Sequence, residues 1–186
     1  MELKYKRILL KLSGEALAGE KKSGFDEAVI ASICGGIRKA HDQGVQIGIV
    51  VGGGNFWRGR SSGKMERTLA DKIGMLATVM NALAVSDKLN QLEVPTEVFT
   101  SITMPQVAQP FTRNGALEAM AAGKIAIFGG GTGNPFFSTD TATALRAVEV
   151  SADIMFKATM VDGVYDKDPH KYPDAKKYDK IGRAHV

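Results

Sequence analysis

The chain has 186 residues, a length that suits one domain or two small lobes and hides roughly 70% of its unfolded surface on folding. Hydrophobic residues make up 44%, charged residues 24% and aromatics 7%, an ordinary soluble globular profile. Twenty-four Lys and Arg oppose 20 Asp and Glu. The excess of +4 is too mild and scattered for a nucleic-acid groove, but it is compatible with a small anionic ligand. The single cysteine, Cys34, excludes a disulfide scaffold and a multi-cysteine zinc site, and reads as a small buried hydrophobe on a helix. No apolar run approaches the ~20 residues of a membrane span, and the charged start is not a signal peptide. No membrane partner is therefore expected, and the cytoplasm is the default compartment. The feature that stands out is 21 glycines, many gathered into two clusters.

In chain order, residues 5–12 (YKRILLKL) predict a strand and residues 14–24 a loop. Asp26 then offers an N-cap for a helix to about residue 43, with Val29, Ile30, Ile33, Ile37 and Ala40 at helical spacing. Residues 45–51 (VQIGIVV) predict a second strand, broken by Gly52, Gly53 and Gly54. A long helix is expected over about residues 64–92, with Met65, Leu69, Ile73, Leu76, Met80 and Leu83 on one apolar stripe. A short strand at 96–101, a helix at 114–122 and a strand at 124–128 (KIAIF) follow, the last again ending in glycines. Residues 139–151 predict a helix and 153–158 a fifth strand; 162–178 read as a polar loop. This alternation implies a mostly parallel sheet covered on both faces, a three-layer αβα sandwich. Its ligand would sit where strand ends open into glycine loops.

Three segments carry chemistry. Lys11, Leu12, Ser13 and Gly14 place a lysine at the end of an apolar strand, costly unless its ammonium reaches a cleft or a partner. The glycine would let backbone amides approach an anion closely; an edge-strand lysine in solvent is the plain alternative. Around Gly52, Gly53 and Gly54, unobstructed amides precede Arg58, whose forked cation suits phosphate oxygens. A tight turn with a surface arginine reads equally well. In the third segment Thr132, Gly133, Asn134, Pro135, Phe136, Phe137, Ser138, Thr139 and Asp140 join hydroxyls, amides and an aromatic pair just before a helix N-terminus, which favours anions. Asp140 either complements that helix dipole or orients a lysine. Residues 59–64 (GRSSGK) are one residue short of a P-loop, no G-x-G-x-x-G is present, and His41, His170 and His185 lack metal-ligand spacing.

Together, YKRILLKLSGEAL, IVVGGGNFWRG, IGMLATVMNALA, GTGNPFFSTDTA and KATMVDGVYDKDP resemble the bacterial uridylate (UMP) kinases of the amino acid kinase family. They span residue 5 to about residue 173 in the family's order and spacing. The resemblance implies transfer of the ATP γ-phosphate to UMP, with Mg²⁺ arriving on ATP and no dedicated protein metal site. By position, Lys11, Leu12, Ser13 and Gly14 would hold ATP phosphates. Gly53 would contact the UMP phosphate, and Gly54 and Arg58 would contact ATP. Asp71 would bind UMP; its place off the apolar stripe suits a cleft or solvent, and spacing alone favours solvent. Thr132 through Thr139 would enclose the uridine and its phosphate, while Thr159, Tyr165 and Asp168 would hold the adenosine end of ATP. Asp140 matches the family's acidic position that organises lysine. The family implies a homohexamer activated by GTP and inhibited by UTP, with residues 19–24 in the place of the GTP-response loop.

The alternatives are a family relative that phosphorylates a carboxylate or carbamate, and an inactive nucleotide-binding fragment. GTGNPFF and Asp71 argue against the relative; intact Lys11 and Arg58 argue against designed inactivity. The family pattern breaks after Asp179. Residues 181–186 (IGRAHV) can be encoded by the opening of a common sequencing adapter, and are expected to be a non-native tail on a single domain of residues 1–180 whose ATP-binding half is incomplete.

Overall fold

A computed structural model describes residues 3–59, 63–158 and 161–180. Thr159 and the tail at 181–186 lie outside the described residues. Strand β1 (Arg7–Leu12) is followed by a short helix α1 (Gly14–Ala18) and a 3₁₀ turn (Gly19–Lys21). The predicted loop at 14–24 is thus partly helical, because Leu17 and Ala18 bury themselves at the sheet end. Helix α2 (Glu27–His41) starts where expected, with the Asp26 carboxylate accepting from the amides of Ala28 and Val29. Then come β2 (Gln46–Val51), α3 (Arg67–Gln91), β3 (Thr96–Thr100), β4 (Gln109–Pro110), α4 (Arg113–Ala121), β5 (Ile125–Gly129), α5 (Thr139–Glu149) and β6 (Ile154–Lys157). Instead of a plain loop, the segment beyond 160 holds a small antiparallel pair, β7 (Val164–Tyr165) with β8 (Lys177–Tyr178).

The main sheet has six strands in the order β4-β3-β5-β2-β1-β6, every pairing parallel. Side chains alternate across it with period two. Ile47, Ile49 and Val51 join Ile125 and Ile127 under α2 and α3, around the buried Cys34. Leu9, Val50 and Phe128 face the other way, under α4 and the end of α5. This is the expected three-layer sandwich, and all strand C-termini open on one edge. Burial pushes the Cys34 thiol up to about 11, against a smaller opposing pull from Lys88, so it stays protonated and inert at neutral pH.

Helix α3 corrects one expectation. The stripe of Met65, Leu69, Leu76, Met80 and Leu83 is exposed, and Ile73 only half-buried; the face against the sheet is Ala70, Ala77, Val79, Ala82, Val85 and Leu89. Small residues win that side because the helix lies so close: a Cβ on Gly53 would sit 2.9 Å from the Ala77 Cβ, and one on Gly129 3.1 Å from the Val79 Cα. The 25-residue α3 is also long and apolar enough to cross a membrane by composition, with a window of mean hydropathy 1.3. It nevertheless packs as a core helix over β2, β3 and β5.

Two glycines show opposite constraints. A Cβ on Gly14 would lie 2.5 Å from the Gly52 carbonyl oxygen and 2.6 Å from the Gly54 nitrogen, both backbone and unable to yield. A Cβ on Gly36, inside α2, would meet nothing within 4 Å. Gly14→Ala is expected to lower stability by about 1–3 kcal/mol, and Gly36→Ala to raise it by about 0.5–1 kcal/mol. Urea midpoints measure both; equal shifts would refute the close-packing account.

Candidate active site

The C-terminal edge of the sheet holds a cleft of about 420 Å³. Its walls come from the β1–α1 turn (Lys11, Ser13, Gly14, Glu15), the glycine turn after β2, the start of α3, and the N-terminus of α5. Each wall has a local physical cause.

The glycine turn is pinned from beneath by a buried amide pair. Asn55 Nδ2 donates to the Gly24 carbonyl (2.8 Å) and to Asn81 Oδ1 (3.1 Å). Asn81 Nδ2 donates to Asn55 Oδ1 (2.7 Å) and to the Gly52 carbonyl (2.5 Å). Both residues are buried, so every bond replaces one that water would otherwise make. Gly52 N also donates to the Leu12 carbonyl (2.9 Å), which ties the turn to β1. Asn81 has no sequence signal, since an Asn in an apolar helix carries no motif.

Lys11 is not an edge lysine: β1 lies between β2 and β6, and its side chain is only 13% exposed. Its ammonium reaches Asp140 Oδ1 at 3.2 Å, while Lys157 Nζ donates to Asp140 Oδ2 at 2.7 Å. Burial opposes ionisation of Asp140, but the hydrogen bond from Lys157 and the charge of Lys11 prevail and hold the carboxyl below its usual range. The lysine-orienting reading of Asp140 therefore has its geometry. Arg58 is paired with Glu15 across the cleft. Both are largely exposed, so the pair is cheap to exchange for another anion.

Asp71 lies in the cleft, contrary to the solvent position that spacing favours. Its side chain is 15% exposed, accepts two bonds from Arg67 Nε (2.9 Å each), and accepts from the Phe136 amide at 2.8 Å. Gly59 permits this: a Cβ there would collide with Oδ1 of Asp71. The bond from Phe136 holds that residue at φ +70, a left-handed conformation costing a non-glycine about 1–3 kcal/mol. Phe136 and Phe137 are both more than half exposed and give the cleft an apolar wall. The same loop is anchored behind by buried Arg146, which donates to the Gly131 carbonyl (3.4 Å) and Ser101 Oγ (2.7 Å) and stacks on Phe111 at 3.8 Å. Thr78 Oγ1 accepts from the Gly130 amide at 2.7 Å. Ser138, Thr139 and Asp140 reach the cleft at the α5 N-terminus, where the helix dipole favours an anion.

Several expected residues stand elsewhere. The Leu12 side chain is core, only 2% exposed, and its carbonyl is taken by Gly52. Thr132, Gly133, Asn134 and Pro135 are not part of the cleft wall; they close a turn in which the Asn134 amide donates to Thr132 Oγ1 (3.2 Å) and Gly133 N to the Gly130 carbonyl (3.0 Å). Tyr165 and Asp168 are also away from the wall: Tyr165 donates to Asp162 Oδ1 (2.6 Å), and Asp168 accepts from the His170 amide (3.0 Å). Gly53 and Gly54 do line the cleft. Trp57, Arg67, Gly74, Met75 and Thr78 line it too. Of these, Arg67 has the one readable signal, its i,i+4 spacing to Asp71.

A sequence model of the amino acid kinase family matches residues 6–186. Among solved structures, the chain is similar to a UMP kinase from Bacillus anthracis, with 39% identity and a TM-score of 0.89, over 94% of this chain and 73% of that one. It is similar also to a UMP kinase from Ureaplasma parvum, with 36% identity and a TM-score of 0.91, over 98% of this chain and 79% of that one. With the parallel sandwich and the glycine-lined cleft at its strand ends, the chain belongs to the amino acid kinase family.

Proposed function

We propose that the chain is a UMP kinase, transferring the γ-phosphate of ATP to the phosphate of UMP to give ADP and UDP. The carrying observation is convergence. Lys11, Arg58, the glycine-turn backbone and the α5 N-terminus all face one cleft whose other wall is Phe136, Phe137 and Asp71. One side suits phosphates and the other a flat base with its sugar. The similarity to two UMP kinases supports this choice of acceptor over a carboxylate or carbamate.

In the transfer, a UMP phosphate oxygen forms the new bond to the γ-phosphorus as the bond to the ADP oxygen breaks. The acceptor is already anionic, so no general base is needed, and charge placement carries the chemistry. Lys11 neutralises the group in flight, and Arg58 exchanges Glu15 for phosphate oxygens. Mg²⁺ enters as part of the substrate, MgATP. Asp71 holds the uridine side, and Thr159, Tyr165 and Asp168 remain proposed contacts for adenosine. Activation by GTP and inhibition by UTP are proposed with the family, as are a place in pyrimidine nucleotide synthesis and a cytoplasmic location.

A coupled ADP-release assay on this chain, with UMP, CMP, N-acetylglutamate or no acceptor, tests the function. Turnover is expected with UMP above the others. Lys11→Ala and Arg58→Ala are expected to lower turnover at least about 100-fold, the scale of lost charge stabilisation, with little change in the urea midpoint. Near-wild-type UMP phosphorylation in both variants would refute these roles, and preference for another acceptor would refute the assignment.

The exposed apolar stripe on α3 supports a homo-oligomer, proposed as a hexamer. Leu69, Leu76, Met80 and Leu83 form a row too apolar for a free surface helix. Light scattering is expected to give an oligomer for this chain and a smaller species for Leu76→Asp. A monomeric wild-type chain would contradict it.

A further inference from the structure

Arg146, in the last turn of α5, is a cation almost out of reach of water, its side chain only 5% exposed. Burying a guanidinium is costly unless its charge and its donors find partners. Glu149, three residues on, supplies the opposite charge to Nη1. Nη2 is spent elsewhere, on Ser101 Oγ at 2.7 Å and the Gly131 carbonyl at 3.4 Å. The guanidinium also lies over the Phe111 ring, 3.8 Å from its centre. Ser101 Oγ in turn donates to the same Gly131 carbonyl at 2.9 Å. Two donors from separate parts of the fold thus converge on one oxygen. Gly131 lines the cleft, whereas Arg146 and Ser101 do not.

What that oxygen controls follows from the chain around it. Gly130, Gly131 and Gly133 stand at φ +77, +59 and +81, so the turn is built on the residue type with the most backbone freedom. From Gly131 the chain runs out to Phe136, whose amide donates to Asp71 at 2.8 Å, and returns into α5 at Thr139. Arg146 belongs to that same helix, so its bond to Gly131 ties the start of the loop to its end. Phe136 and Phe137, the apolar wall of the cleft, lie within the closed stretch. We propose that Arg146, with Ser101 as its relay, is a positioning residue for the acceptor nucleoside. It closes the base of residues 131–138 and so sets where Phe136 and Phe137 stand. The UMP kinase reading supplies the identity of the ligand; closure of the loop base stands independently of it. The opposite wall is held separately, by the contact of Gly14 with Gly52 and Gly54. The two nucleotides therefore respond differently when the loop base is loosened.

The test compares three variants with the unaltered chain. Arg146→Lys keeps a cation beside Glu149 but loses the fork. Ser101→Ala removes the relay hydroxyl and leaves the ion pair intact, and Glu149→Gln removes the opposite charge but neither bond to Gly131. Affinities for UMP and for a non-hydrolysable MgATP analogue are measured by calorimetry, and stability by the urea midpoint. Arg146→Lys and Ser101→Ala are each expected to weaken UMP about three- to tenfold, as fewer molecules hold the loop in its binding conformation. The analogue should change less than about twofold, since its expected contacts lie on the separately held wall. Glu149→Gln should lower the urea midpoint without moving UMP affinity. Unchanged UMP affinity in either of the first two variants, equal weakening of both nucleotides, or UMP affinity that falls with stability in Glu149→Gln would overturn the proposal. If the unaltered chain binds no UMP, the kinase reading fails, and backbone amide NMR then decides on the loop. Ser101→Ala should shift the Phe136 and Phe137 amides, and unmoved amides would overturn the closure.

Discussion

The cleft depends on how closely two backbones meet at the ends of β1 and β2. Gly14 lies against the Gly52 carbonyl and the Gly54 amide at a separation that leaves no room for a Cβ. That contact brings the lysine strand and the glycine turn together, and Asn55 and Asn81 lock it from the α3 side. Separate the two turns and Lys11, Arg58 and the glycine amides no longer face a common space. The glycine excess is therefore a packing requirement before it is a binding device. The same atoms serve both purposes, because a backbone stripped of side chains is also one that a phosphate can approach.

A second constraint is electrostatic. The cleft gathers cations, and each is paired with a carboxylate: Arg58 with Glu15, Lys11 with Asp140, Arg67 with Asp71. These pairs differ in burial, and so in what they can do. The exposed Glu15–Arg58 pair is worth little and exchanges readily. Asp71 is largely enclosed and also accepts the Phe136 amide, so it behaves as a fixed strut between α3 and the aromatic loop. Asp140 lies between these limits, shared by two lysines from adjacent strands.

Much of this was legible in the sequence, for physical reasons that differ between segments. Strands β2 and β5 are buried on both faces, so each shows as an apolar run ended by glycine. The Asp26 cap of α2 is a local signal, carried by one residue just ahead of the helical spacing. Helix α3 misled because apolar residues lie on more than one of its faces. The large ones mark the exposed side, and close approach to the sheet selects Ala and Gly instead. Lys11, Gly53, Gly54, Arg58 and Asp140 could be found from strand ends and glycine turns. Asn81 and Lys157 could not, because their contacts come from partners 26 and 29 residues away in the chain or from strand register. The placement of Thr132 and its neighbours outside the cleft wall had no sequence signal either, since a turn and a binding loop use the same residue types.

The central claim is that this cleft seats the acceptor nucleotide. Backbone amide NMR of this chain during addition of UMP tests it most directly. The account predicts that the largest shifts fall on Gly53, Gly54, Asp71, Phe136 and Phe137, which come from three separate segments and meet at one wall. Shifts confined to the β7–β8 segment or to the opposite edge of the sheet, or no shifts at saturating UMP, would contradict it.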